Sequence, residues 1–363
     1  MKILEQFCLE GEIANIYPYG EGHINSTYKV DMKDGKSYIL QKINTAIFKD
    51  YVGVINNILL VTDYLRGIIR KNGGEVDRET MTLLPTKDGK YYYVDENGDC
   101  YRAYLFIEGS KCYQTATSKE QFASSGKAFG KFMADLDGFD ATKLADILPH
   151  FHETPVRYEN FEKAVKADVK GRLSRVESEV EFYRARKNFY HTITDLLSQN
   201  KIPTRVTHND TKLNNILFDE KTDEALCVID LDTIMAGSLL YDFGDSVRFG
   251  CSTAKEDEVD KDKIHFDMSL YESYLKGYLE GAGDKITKEE VDNLHNGAIM
   301  MTLECGMRFL TDYLEGDTYF KTAYPEHNLV RATSQMLLAK EMEERSERCC
   351  RILRIFSGNV LFF

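Results

Sequence analysis

Val206-Thr207-His208-Asn209-Asp210-Thr211-Lys212-Leu213-Asn214-Asn215-Ile216-Leu217-Phe218 is the stretch from which the rest of the chain is best read. In it His208-x-Asp210 is followed five residues later by Asn215, with apolar residues on both sides. Beyond a polar turn over Asp219–Ala225 comes a second apolar run, Leu226–Ile229, ending at Asp230. Ile216–Phe218 is predicted to pair antiparallel with Leu226–Ile229. Directly opposed residues on paired strands have Cβ atoms about 4.5–5.5 Å apart, so Asp230 leaves its strand beside Asn215. Phosphoryl transfer needs a carboxylate to take a hydroxyl proton and oxygen ligands for Mg2+. Asp210 suits the first role, and Asn215 with Asp230 the second. Asp and Asn are also common turn residues, but three residues, their spacing and the hairpin agree on chemistry.

Upstream, the chain reads as strands around one helix. Gly11–Tyr19 and Ile24–Asp31 are rich in β-branched and aromatic residues and are separated by Gly20-Glu21-Gly22. Lys33–Lys36 is a turn into a third strand, Ser37–Asn44. Val52–Lys71 carries Val54, Ile58, Val61, Leu65 and Ile68 at helical spacing and is closed by Gly73-Gly74. Asn97-Gly98 joins a hairpin of Tyr91–Asp95 and Tyr101–Ile107. After Gly109 the periodicity turns helical. Ser118 with Gln121 marks a helix start, and Arg175–Asn200, Tyr271–Leu279, Lys288–Leu314 and Arg331–Ile352 are each predicted as one helix. The expectation is an α+β chain: a β-rich lobe over 1–107, a mostly helical lobe over 108–363, and a hinge at Phe106–Gly109.

Composition narrows the functions. The 363 residues include 59 acidic and 46 basic side chains, a net charge of −13. Nucleic-acid and anionic-lipid binding rely on Lys and Arg neutralising phosphates, so neither partner is expected. Apolar residues at 43% supply an ordinary core. The eight cysteines form no Cys-x-x-Cys and suggest neither a metal knuckle nor a disulfide framework. Met1–Ile13 lacks a basic end followed by an apolar run, and no stretch approaches the ~18 apolar residues of a spanning helix. A cytoplasmic location is the expectation. His150-x-His152 has the look of a metal pair, yet a surface loop is the better reading.

Residues 206–250, with Ile229-Asp230-Leu231-Asp232 and Gly237–Asp242, resemble the aminoglycoside phosphotransferase and choline kinase superfamily. That resemblance implies a protein-kinase-like two-lobed fold with ATP and Mg2+ as cofactors. Tyr17–Asn25, Thr207–Asn215 and Glu304–Asp317 closely resemble the bacterial N-acetylhexosamine 1-kinases, which phosphorylate the anomeric hydroxyl of free N-acetylglucosamine or N-acetylgalactosamine. The likeness runs over roughly residues 10–345. It implies a small-molecule sugar as partner, with His23, Asp210, Arg308 and Tyr319 as acceptor-binding residues. Arg308 also lies four residues after Glu304, an ion-pair spacing, so Glu304 could hold the guanidinium while it donates to sugar oxygens.

For the nucleotide, backbone amides of Gly20 and Gly22 can approach the phosphates, with Asn25 and Ser26 adding donors. Leu105 and Ile107 would bind adenine through main-chain groups. The superfamily usually places Lys or Arg on the third strand. Here Gln41 stands there with Lys42 next, and a one-residue step turns a strand side chain to the other face. Lys42 therefore reaches the phosphates through a shifted register or takes no part. The long helix has Asn56-Asn57 instead of the usual Glu. Asp242-Phe243-Gly244 spells the metal-binding tripeptide of protein kinases but lies beyond a second turn; Asp242 is expected to cap a helix or to bond the Asp210 loop from behind. Alternatives are a related kinase of amino alcohols, aminoglycosides or homoserine, and a non-catalytic nucleotide-binding regulator.

Overall fold

The computed structural model describes residues 2–20 and 24–358. The chain divides into two compact units, each assembled from three segments. The first comprises residues 1–113, 138–148 and 215–236; the second comprises 114–137, 149–214 and 237–363.

The first unit is built on an antiparallel sheet of β1 (Ile13–Pro18), β2 (Ser26–Met32), β3 (Ser37–Ile43), β4 (Tyr93–Val94) and β5 (Cys100–Leu105), in the order β1-β2-β3-β5-β4. Alternation divides its two faces. Val30, Met32, Tyr38, Leu40, Tyr101 and Ala103 form one apolar face, closed by Leu4 and Phe7. The other face carries a row of polar residues, because Thr27 opposes Gln41 and Gln41 opposes Arg102.

Helix α1 (Tyr51–Lys71) is capped by the Asp50 side chain on the Gly53 amide and buries Val54, Ile58, Val61 and Leu65. It departs from the expectation that no stretch approaches a spanning helix: an 18-residue window within its 21 residues reaches a mean hydropathy of 1.3. Half of that window is buried inside the fold. Buried Asn57 exchanges two hydrogen bonds with the backbone of Ala145 and donates to the Ile234 carbonyl, which ties 138–148 and the 231–234 turn to this unit.

A small sheet completes the unit. The predicted hairpin forms from β8 (Ile216–Asp219) and β9 (Ala225–Val228), with Ile216 opposite Val228 and a bulge before Phe218. β6 (Ser110–Cys112) adds to its edge. Arg78, in the short helix α2 (Val76–Glu79), pairs with Asp219 at 2.8 Å and anchors the turn.

The second unit is helical: α3 (Lys119–Asp135), α4 (Thr154–Ala167), α5 (Glu177–Arg184), α6 (Thr192–Ser198), α7 (Leu239–Gly250), α8 (Met268–Ala282), α9 (Lys288–Glu315), α10 (His327–Glu344) and α11 (Ser346–Ser357), with the short strand β7 (Arg205–Thr207). Two predicted helices are broken. Arg175–Asn200 splits into α5 and α6, and the turn between them buries Tyr190 with its hydroxyl on the Tyr183 carbonyl. Arg331–Ile352 breaks at Arg345, which bonds the Phe266 carbonyl. In both places tertiary packing overrides a continuous helical pattern. α3 and α8 cross at glycines: a methyl at Gly126 or Gly130 would fall on the Tyr274 or Tyr278 carbonyl, and one at Gly277 or Gly281 on the Ala123 or Lys127 carbonyl.

Candidate active site

In the second unit the Asp210 segment is held from behind by α7. Ser238 caps that helix on the Leu240 amide. One turn in, the buried Asp242 carboxylate accepts the backbone amides of His208 at 2.8 Å and Asn209 at 2.7 Å. Thr211 Oγ1 donates to the Asp242 carbonyl at 2.5 Å, and Ser246 Oγ donates to the Thr211 carbonyl at 2.7 Å. These bonds hold Asn209 in a left-handed conformation, φ 66°, which Asn tolerates better than most residues. Burial pushes the Asp242 carboxyl up, against the lowering effect of His208 and of the two amides. Asp242 thus bonds the loop from behind, the second of the two roles expected for it.

His208 is buried edge-on to Phe129 and Phe132, at 5.8 and 6.2 Å between ring centroids. Its Nδ1 accepts the Asp210 amide at 3.2 Å, so the neutral ring carries its proton on Nε2. Lys212, which sequence reasoning passed over, places Nζ 2.7 Å from Asp210 Oδ1. Asp210, ahead of every other cause, raises the Lys212 pKa. The loop therefore presents a carboxylate with a permanent cation against it.

Arg308 and Tyr319 also come together in this unit, but not as the sequence suggested. Buried Glu304 accepts from His152 Nδ1 at 2.8 Å and Thr154 Oγ1 at 2.6 Å. Burial opposes its ionisation, but His152, then Arg308 and Thr154, hold its pKa below the usual carboxylate range. The expected Glu304 grip on the guanidinium is replaced by this histidine pair. Arg308 instead sits among three rings, 5.7 Å from Phe151, 5.9 Å from Tyr319 and 5.5 Å from Phe320. Asp312 shapes the loop that brings two of them, accepting the amides of Thr318, Tyr319 and Phe320 at 2.8–2.9 Å. His152 is buried, which corrects its placement on a surface loop, whereas His150 is exposed and pairs with Glu153.

In the first unit, the hairpin brings Asn215 and Asp230 together. The Ile229 amide donates to the Asn215 carbonyl at 2.9 Å, and Asp230 follows in a left-handed conformation with φ 60°. Among the described residues no group of three or more His, Cys, Asp or Glu side chains is arranged to hold a metal. Mg2+ needs fewer, since it is bound by one or two side-chain oxygens with phosphates and water. Asn215 and Asp230 fit that requirement.

Asp232, two residues on, is differently engaged. It is buried, ion-paired with Arg102 at 2.5 Å, and accepts from Asn25 Nδ2 at 2.7 Å. Asn25 Oδ1 accepts the Asn44 amide at 2.9 Å, so both ends of this side chain are used within the fold. Arg102 also donates from Nε and Nη2 to Gln41 Oε1, at 3.0 and 2.8 Å. Burial works against the Arg102 charge; Asp232 first, with smaller help from Tyr104 and Asp230, raises its pKa nonetheless.

β3 pairs regularly with both neighbours, so Lys42 points away from the Gln41 face and pairs with Asp99 at 2.5 Å. Gly20 has φ 77°, where a side chain would be strained, and Gly22 and His23 lie outside the described residues. The Leu105 amide donates to the Thr82 carbonyl, and the Ile107 carbonyl accepts from Ser110 Oγ at 2.6 Å. Between these two residues Phe106 packs edge-on to Tyr19 and under Lys29 Nζ, 3.9 Å from the ring centroid.

A family model described as the phosphotransferase enzyme family matches residues 89–286, more than half of the chain. The chain belongs to that family. The matched span carries the Asp210 loop, the hairpin and Asp242. Solved structures of similar fold place the rest of this phosphotransferase in the same architecture. A microcompartment-associated aminopropanol kinase is 16% identical, with a TM-score of 0.61 over 96% of this chain and 97% of its own. A spectinomycin phosphotransferase in complex with ADP and spectinomycin is 15% identical, with a TM-score of 0.54 over 98% and 97%. An ethanolamine kinase of Plasmodium vivax is 14% identical, with a TM-score of 0.54 over 88% and 82%. An antiparallel sheet followed by a helical region is the arrangement expected of this kinase-like fold.

Proposed function

We propose that this phosphotransferase is an ATP- and Mg2+-dependent kinase that phosphorylates the anomeric C1 hydroxyl of N-acetylhexosamines, N-acetylglucosamine or N-acetylgalactosamine. The observation that carries the phosphoryl-transfer part is the hairpin register, which sets Asn215 beside Asp230 at the end of β9. The spectinomycin phosphotransferase of similar fold was captured with ADP, which supports an adenine nucleotide here.

In this reading Asn215 and Asp230 hold Mg2+, which when bound neutralises charge on the transferring phosphate. Asp210 orients the C1 hydroxyl and accepts its proton. Lys212 pairs with one oxygen of that carboxylate and so fixes its orientation toward the hydroxyl. The rigid carriage of the loop on Asp242 fixes the direction in which the proton leaves. Arg308 donates to sugar oxygens, while Tyr319 and Phe320 give it an apolar wall against which a pyranose face can pack. His23 and Tyr319 complete the acceptor contacts that the resemblance implies.

A neutral sugar suits this site better than an amino alcohol or aminoglycoside. Among the described residues no carboxylate is ion-paired with Arg308, and its neighbour Arg157 is pushed below its ordinary pKa by burial and by Arg308 itself. A cationic acceptor would meet repulsion there. The test is Asp210→Asn with an N-acetylhexosamine and ATP: turnover should fall by orders of magnitude with ATP affinity nearly unchanged. Turnover close to that of the unaltered chain would refute the role.

A further inference from the structure

We infer that Arg102 is a positioning residue of the nucleotide-metal site: by taking Asp232 into a buried ion pair it leaves Asp230 as the metal carboxylate, and through Asp232 it fixes Asn25 at the foot of β2. The inference rests on the reading of Asn215 and Asp230 as Mg2+ ligands.

Strand register brings the parts together. Gln41 on β3 and Arg102 on β5 are directly opposed, and Thr27 on β2 opposes Gln41, so all three project from one face of the sheet. Gln41 Nε2 donates to Thr27 Oγ1 at 3.0 Å while its Oε1 takes the guanidinium, giving a chain of bonds across three strands. From that face Arg102 reaches the turn after β9 and meets Asp232. Lys42, the cation on β3 itself, is turned to the other face and neutralised by Asp99.

The segment Asp230-Leu231-Asp232 offers two carboxylates, and the network distinguishes them. One oxygen of Asp232 faces Arg102 and the other accepts Asn25. A metal would have to break a buried ion pair to recruit it, whereas Asp230 stands at the mouth of the hairpin beside Asn215. Arg102 Nη1 and Tyr104 Oη are buried and find no hydrogen-bond partner among the described residues. Buried ion pairs add little net stability over apolar replacements, and this one is incompletely satisfied. Such a group is better accounted for by what it orients than by what it stabilises. Asn25 lies two residues past the segment 21–23, and its amide bond to Asp232 is the described link between that strand foot and the metal-binding turn.

The experiment is calorimetric titration of ADP with and without Mg2+, together with thermal melting, on the unaltered chain, on Arg102→Met combined with Asp232→Leu, and on Asn25→Ala. The double variant removes both charges and leaves no unpaired ion. The inference expects Mg2+ to strengthen ADP binding to the unaltered chain, and this metal-dependent gain to shrink at least tenfold in the double variant and about fivefold in Asn25→Ala. Metal-free ADP affinity should change less than threefold in both. Asn25→Ala removes two part-buried hydrogen bonds, to Asp232 and from the Asn44 amide, creates no unpaired buried charge in its own place, and keeps the inference testable if the double variant does not fold. An unchanged metal-dependent gain, with only the melting temperature moved, would overturn the inference and leave the metal reading intact. Absence of any metal-dependent gain in the unaltered chain would overturn the metal reading and the inference with it.

Discussion

Asp242 accepts the backbone amide of Asn209 at 2.7 Å, from a helix more than thirty residues further along the chain. Its other oxygen takes the His208 amide, so one buried carboxylate sets the conformation of the two residues before Asp210. Asp242→Asn replaces an acceptor oxygen with a donor facing N–H groups. Hydrogen bonds to a charged group contribute about 1.5–3 kcal/mol each. The variant should lose roughly 2–4 kcal/mol of stability and much of its kcat, with the Mg2+ dependence of turnover unchanged. Asp230→Ala should do the reverse, raising the Mg2+ requirement with a smaller change in melting temperature. Mg2+ titrations of turnover and thermal melts on both variants check this pair.

Glycine positions make opposite forecasts. At Gly130 a methyl would strike the Tyr278 carbonyl across the α3–α8 crossing, and backbone cannot step aside. Gly130→Ala should cost about 2 kcal/mol or more, as overpacking does. Gly67 in α1 has open space around it, so Gly67→Ala should stabilise by up to about 1 kcal/mol through helix propensity. Urea denaturation of the two variants, read at equal m-value, decides both.

His295 predicts an acid-sensitive stability. Its imidazole is buried in α9, with Nε2 3.1 Å from the Met342 carbonyl, and burial pushes its pKa down to about 4. The unfolded chain, near pKa 6.5 at this residue, takes up the proton first. The contribution is therefore complete above about pH 6.5 and drains as the pH falls towards 4, amounting to about 3 kcal/mol. Glu304 and Glu341, both held below the usual carboxylate range, act in a lower window, while burial pushes Asp242 and Glu315 up and Glu341 raises His265, so the histidine's share is the part of the slope that its replacement removes. Denaturation midpoints across pH 5–7 should slope for the unaltered chain and flatten for His295→Gln.

Much of the fold was readable because local signals and long-range pairing agreed. The Ile216–Phe218 and Leu226–Ile229 runs are apolar on either side of a polar turn, and α1 and α9 start and stop within a residue of their predicted bounds. The broken helices were not readable: neither 185–188 nor Arg345 carries Pro or Gly, and the breaks answer to Tyr190, whose hydroxyl turns back to the Tyr183 carbonyl, and to Phe266, which only packing brings near Arg345. Glu304 shows a similar limit. Its spacing from Arg308 is that of an ion pair, but a buried histidine and a threonine some 150 residues upstream claim its oxygens. Arg102 could not be picked out for the same reason, since 61 residues separate it from Gln41 and only the β3–β5 register sets them side by side. Lys212, by contrast, lies two residues from Asp210 and was open to notice as a cation beside a carboxylate.

The central claim is transfer to the anomeric hydroxyl of a neutral amino sugar. It is tested most directly by phosphorus NMR of the product formed from ATP, Mg2+ and N-acetylglucosamine or N-acetylgalactosamine, with the corresponding 1-O-methyl glycosides run in parallel. The account predicts a phosphorus resonance coupled to the anomeric proton with at least one free sugar, and no product from either glycoside. A phosphate coupled to a ring or C6 proton, or equal turnover of the methyl glycosides, would contradict it, as would inert sugars beside a readily phosphorylated amino alcohol.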